Sequence, residues 1–161
     1  MMNPEASSAD AIHLAVVHQN YIELILRGTK TAELRLTKNR NPPHGVVHPG
    51  QRLYFKQSSG PVRATAVVTH VESLTDLTPA DVARLAKDSA ETVRGEPDFF
   101  EQRSSARFAS VIHFDRVQPC AFGPDFAAER AANPRAAWLV LPAEADVYPD
   151  CLATNLFTAN R

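Results

Sequence analysis

The sequence predicts an α+β fold, a small mixed β-barrel, curled or closed, with two or three helices on its outside. Three observations lead there. The 161-residue chain is 44% apolar, enough for one compact domain with its own core and too apolar for a disordered chain. Its apolar patterns run strand, helix, strand, and then several strands with one inserted helix. That order does not alternate regularly, which argues against a doubly wound parallel sheet. Several strand patterns are long and separated by turn residues, as in a sheet that curls onto itself.

Each element has its own signal. "IHLAVVH" (12–18) is apolar and β-branched, a buried strand. In "QNYIELILRGT" Asn20 and Glu23 have capping-box spacing, Ile22, Ile25 and Leu26 form an apolar stripe, and Gly28 is the stop. "TAELRL" (31–36) alternates with period two: Ala32, Leu34 and Leu36 point one way, Thr31, Glu33 and Arg35 the other. Residues 37–50, rich in Pro, Asn and Gly, read as a long loop. "QRLYFKQ" and the long "PVRATAVVTHVESL" are strands joined by a turn at "SSG" (58–60). "TPADVARLAK" opens with a cap and a proline at the first helical position, and carries Val82, Leu85 and Ala86 as its core stripe. A short helix is expected from Pro97, then a long strand in "RFASVIHFDRVQPC" and a last one in "RAAWLVL" (135–141). The division expected is a disordered N-terminus over 1–10, a domain over 11–142, and a C-terminal extension over 143–161 packed on or beside the barrel.

The formal net charge is −1, so no global field attracts polyanions and any such site must be local. Two cysteines, Cys120 and Cys151, are too few for a disulfide framework and show no C-x-x-C spacing. The first ten residues have no apolar run and no Lys or Arg, unlike a secretory or transit leader. No window is long and apolar enough to span a bilayer. A cytoplasmic setting, no membrane association, no metal and no cofactor are the expectations.

Against this neutral background, "RGTKTAELRLTKNR" (27–40) holds five basic residues and one acid. Glu33 and Arg35 are two apart on one strand face, so their side chains emerge together. Lys30 enters from the helix end. A carboxylate between two cations is held ionised and orients both, presenting donors to a phosphate or a base carbonyl. Arg27, Lys38 and Arg40 would extend the positive rim along a nucleic-acid backbone. Tyr21, Tyr54 and Phe55 are candidate stacking surfaces, with core packing the favoured reading for Phe55. Lys56, with Ser58 or Ser59 at the neighbouring hairpin, would complete the wall. His18 ends a strand beside this cleft. His44 and His48 supply two ligands without a third, which does not make a metal site. Trp138 is read as core.

The pattern Gly28-x-Lys30-x-x-Glu33-x-Arg35, between an amphipathic helix and a strand, resembles the signature of the ASCH domain, a member of the PUA-like superfamily of small β-barrels. The similarity extends through the hairpin, long strand and helix that follow and a later barrel strand, over about residues 12–120. The resemblance implies a PUA-like barrel with an RNA- or nucleotide-binding cleft beside the signature: Gly28, Lys30, Thr31, Glu33 and Arg35. Its alternative implication is a hydrolase. One branch resembles amidohydrolases that deacylate N4-acetylcytidine with the motif Lys as base and a Thr as nucleophile. Glu33 stands at that Thr's place here, and Thr31 lies two positions earlier. Other members have been linked to RNA cleavage.

Three classes of function follow. One is a module that binds RNA or a modified nucleotide. Another is an enzyme on the same cleft, a ribonuclease or an amidohydrolase of N4-acylated cytidine, in which Lys30 and Glu33 are catalytic. The third is a protein-interaction barrel whose charged comb meets an acidic partner.

Overall fold

The computed structural model describes residues 11–149. Six strands, β1 (Ile12–Val17), β2 (Ala32–Thr37), β3 (Arg52–Gln57), β4 (Val62–Leu74), β5 (Phe108–Pro119) and β6 (Trp138–Leu141), form one sheet in the order β2-β5-β4-β3-β1-β6. Only β1 and β3 run parallel; the other neighbours are antiparallel. A parallel pair needs a crossover, and here the chain passes through a helix and β2, at the far edge of the sheet, before β3. Register shifts in the β4–β5 ladder, between Thr65 and Val67 and between Val68 and His70, bend the two longest strands. The sheet curls into a half-barrel.

Five α-helices lie among the described residues, α1 (Gln19–Leu26), α2 (Pro79–Asp88), α3 (Ala90–Val93), α4 (Pro97–Glu101) and α5 (Ala127–Ala132), with one 3-10 turn at Ala143–Ala145. The sequence pointed to two or three. The additional α3 and α5 have four and six residues, too short to display a helical period. The expected capping box at Asn20 and Glu23 does not form. The helix is capped by His18 without a side-chain bond, so Asn20 already lies inside it and Glu23 pairs with Arg63 at 3.4 Å instead. The stop at Gly28 is a Schellman turn: Gly28 has φ +78°, its N–H reaches the Ile25 carbonyl at 3.0 Å, and the Thr29 N–H reaches that of Leu24 at 2.9 Å. On α2 the capping box of Thr78 and Asp81 is complete.

The alternation of β2 sorts two layers. Ala32, Leu34 and Leu36 pack outward against Leu77, Val82 and Val93 of the α2–α3 region. Glu33 pairs in register with Ile112, whose side chain belongs to the barrel interior with Val17, Ile25, Phe55 and Trp138. Cross-strand partners share a face, so Glu33 and Arg35 point inward. A third cluster joins Ile12, Leu14, Tyr54 and Leu139. It is sealed by residues 143–149, where the Asp146 carboxylate accepts from Tyr54 Oη at 2.5 Å and lies 3.7 Å from Arg52 Nε, while Arg52 donates to the Tyr148 carbonyl at 2.7 Å. Tyr54 and Phe55 are thus fully buried and offer no stacking face to a ligand. Residues 1–10 and Cys151 lie outside the described residues.

Candidate functional site

β2 and β6 are the edges of the curled sheet, and the gap between them is bridged by a side chain rather than by a backbone ladder. Arg35, on β2, donates to the Val16 carbonyl at 3.0 Å and to the Ala137 carbonyl at 3.2 Å. The backbone already joins these two partners, since the Val16 N–H reaches the Ala137 carbonyl at 2.9 Å. The guanidinium also lies 5.4 Å from the Trp138 ring centroid and 3.3 Å from the Glu33 carboxylate.

Behind Arg35 stands the rest of the motif. The Schellman turn reverses the chain after α1 and sends Lys30 into the protein, where it is 1% exposed. Its ammonium donates to the Val93 carbonyl at 2.5 Å, lies 3.4 Å from Glu33 Oε1 and sits 5.2 Å from the Tyr21 ring centroid. Burial lowers the Lys30 pKa against the opposing pull of Glu33. For Glu33, burial alone would raise the pKa, but the charges and hydrogen bonds of Lys30 and Arg35 outweigh it, and the carboxyl is held below its ordinary value. Glu33 is therefore an ionised clamp that orients two cations.

In front of Arg35 opens a cleft of about 750 Å³. Its walls come from the β1–α1 junction, β2, the loop at Asn41–Pro43, α4 and the segment before β6. Tyr21, Phe99 and Trp138 supply aromatic surface; Arg35, Arg103, Arg135 and His18 supply cationic or donor groups; Glu33, Glu96 and Asp98 supply carboxylates. Tyr21 ties α1 to α4, its hydroxyl oxygen accepting from the Glu96 N–H at 3.4 Å.

A buried relay anchors Trp138. Its indole N–H donates to His13 Nδ1 at 3.1 Å. An indole N–H is only a donor, so Nδ1 must accept and the imidazole proton sits on Nε2. From there it is donated to Gln51 Oε1 at 2.7 Å, an oxygen that also accepts the His48 backbone N–H at 2.8 Å. Burial drives the His13 pKa down to about 4, so the ring is neutral.

The residues singled out from sequence divide accordingly. Tyr21, Glu33, Arg35 and His18 line the cleft. Lys30 lies behind it. Gly28 and Thr31 are exposed at the turn, the latter with its backbone N–H on the Thr92 carbonyl at 2.9 Å. Lys38 and Arg40 are exposed outside the cleft lining, Arg40 lying 5.4 Å over the Phe108 ring, and Arg27 is exposed at the end of α1. Lys56 donates to the Gln57 carbonyl at 3.1 Å, and the Ser58 N–H reaches the Val17 carbonyl at 2.8 Å. These two do not complete a wall around Arg35: neither lines the cleft, although β1, whose Val16 carbonyl Arg35 reaches, is the strand beside β3. His44 is buried against Phe108, and among the described residues no group of three or more His, Cys, Asp or Glu side chains is placed to hold a metal ion. Sequence reasoning missed Phe99, Arg103 and Arg135 and took Trp138 for core alone. The four-residue spacing of Phe99 and Arg103 across a helix end was the one local signal available.

No protein-family model matches the chain, and no curated protein sequence does. Solved structures do match its fold. An ASCH protein of Zymomonas mobilis superposes with a TM-score of 0.59 at 15% identity, covering 83% of this chain and 89% of that one. A Tyr-to-Phe variant of the same protein gives 0.61 at 15% identity over 83% and 91% of the two chains. A Ser-to-Ala variant gives 0.61 at 16% identity over 91% and 94%. The chain therefore has an ASCH-type fold, as the motif implied.

Proposed function

We propose that this ASCH-type chain binds single-stranded RNA, or a modified nucleotide, in the cleft at the seam between β2 and β6. The observation that carries the reading is the pairing of an oriented guanidinium, Arg35, with the half-buried rings of Tyr21 and Phe99 in one cleft of about 750 Å³, Trp138 lying buried beneath Arg35. Ligand pockets span about 300–1,000 Å³, and single-stranded nucleic acid is held by cations that track phosphate and rings on which bases stack. In a chain of net charge −1 such attraction has to be local, and three arginines line this cleft. Lys30 and Glu33 serve by holding Arg35 in place.

The hydrolase reading, a ribonuclease or an amidohydrolase of N4-acylated cytidine, is less favoured by the geometry. Glu33 clamped between two cations is a poor proton carrier, and Lys30 is spent on Glu33 and a backbone carbonyl. A protein-interaction barrel would meet its acidic partner through the exposed Arg27, Lys38 and Arg40, which lie outside the cleft lining.

Trp138 is the chain's only tryptophan, so its emission reports on the cleft. Titration with single-stranded RNA is expected to change that emission saturably, with an affinity that falls as salt rises. No saturable change with any single-stranded RNA, nucleotide or nucleoside at low salt refutes the reading. Loss of intact RNA or of the N4-acyl group during the titration would move the assignment to the hydrolase.

A further inference from the structure

Arg103 stands apart from the other charged groups of the cleft. It follows α4, and its guanidinium lies 4.1 Å from the Phe99 ring centroid while donating to the Phe99 carbonyl at 3.1 Å. Those two contacts fix it, yet among the described residues it forms no ion pair. Glu96 and Asp98 line the same cleft without pairing with it. Arg35, the other oriented guanidinium of the cleft, has its carboxylate partner tied up by Lys30.

We infer that Arg103 and Arg35 form a two-guanidinium seat for one phosphate group of the ligand, with Arg103 the residue that completes it. Arg35 keeps donors beyond those on Val16, Ala137 and Glu33, and Arg103 keeps all but the one on Phe99. Tetrahedral phosphate oxygens accept such forks, and arginine is suited to that geometry. Burial, and then the neighbouring Arg35 charge, both disfavour the charged form of Arg103. Two guanidiniums line one cleft, and only Arg35 has a carboxylate partner, itself shared with Lys30, so a bound anion would supply the counter-charge that Arg103 lacks. The aromatic rings beside the seat make a nucleotide phosphate the fitting class. That step rests on the cleft reading above, whereas the seat itself does not. The phosphate is either a diester within a strand or the monoester of a free nucleotide.

Two measurements test it. In the first, inorganic phosphate is titrated at low ionic strength while arginine side-chain N–H resonances are followed by NMR. The Arg35 and Arg103 signals are expected to move together and saturate, and Arg103→Gln is expected to abolish the Arg35 response. Uniform, non-saturating shifts that include the exposed Arg84 overturn the seat and leave an adventitious ion only. In the second, Trp138 emission follows binding of 5′-hydroxyl single-stranded RNA, a nucleoside monophosphate and the bare nucleoside. Arg103→Gln is expected to weaken phosphate-bearing ligands about ten- to a hundredfold, to reduce the salt slope by about one, and to spare the nucleoside. Arg103→Lys, which keeps the charge without the fork, should recover part of the loss, and thermal melts of both variants establish that they fold. Loss confined to RNA identifies a diester, and loss shared by the free nucleotide a monoester. RNA bound equally by wild type and both variants overturns the seat and leaves the cleft reading standing. Saturable phosphate binding without RNA binding does the reverse.

Discussion

Acid should destabilise this protein through one buried imidazole before it reaches the carboxylates. His13 is fully buried, accepts the Trp138 indole N–H on Nδ1 and donates from Nε2 to Gln51. Burial lowers its pKa from the ordinary 6.5 to about 4. A native pKa below the unfolded one means that the unfolded chain binds the proton first. Stability is therefore full above about pH 6.5, declines as pH falls, and levels off below about pH 4. At about 1.36 kcal/mol per unit the total loss is roughly 3 kcal/mol, a large share of a small domain's stability. Glu33, held below its ordinary 4.5, loses its contribution only at lower pH, so the interval from 6.5 to 5 isolates the imidazole. Urea unfolding followed by Trp138 emission across pH 5 to 7.5 measures the slope. His13→Gln is expected to lower stability at pH 7 by about 1–3 kcal/mol through impaired hydrogen bonding and to remove about one proton from the slope. If wild type and variant show the same slope between pH 6.5 and 5, the assignment of a neutral, Nε2-protonated His13 is wrong.

Glu33→Gln should cost about 3–5 kcal/mol, because it leaves Lys30 and Arg35 without their shared counter-ion; chemical denaturation reads the loss, and a cost under about 1 kcal/mol would reduce the triad to a surface ladder. Gly28→Ala meets no atom within 4 Å, so only its φ of +78° opposes it, and a loss of about 1 kcal/mol or slightly more is expected in the same assay.

What the sequence disclosed was what local chemistry controls. The β-branched run at β1, the Thr78–Asp81 capping box and the left-handed Gly28 were readable because each signal and its consequence lie within a few residues. The inward pairing of Glu33 and Arg35 was readable because a strand alternates. The burial of Lys30 was not, since a lysine is almost never fully buried without partners and one of its partners, the Val93 carbonyl, is 63 residues away. Nor were Arg103, Arg135 and Trp138 readable as neighbours of Arg35, because the curl of the sheet and the seating of α4 bring them there. The Asn20–Glu23 spacing was a true pattern in the wrong frame: with His18 as the cap, the residue that would have capped is already inside the helix.

The seam explains why the motif takes the form it does. A barrel closed by backbone pairing between β2 and β6 would satisfy both edges and leave no room for a cleft. Here the edges are joined by one guanidinium reaching Val16 and Ala137, which spans a wider gap than a ladder bond and leaves a cavity in front of it. A single long side chain is a poor strut unless its direction is fixed. Glu33 fixes it from the same strand face, and Lys30, anchored on Val93, keeps Glu33 ionised and in place. The lone glutamate among cations is thus what allows a cation to hold the barrel open. The roles within the motif follow from position: Gly28 turns the chain, Lys30 and Glu33 hold Arg35 in direction, and Arg35 alone both spans the seam and lines the cleft.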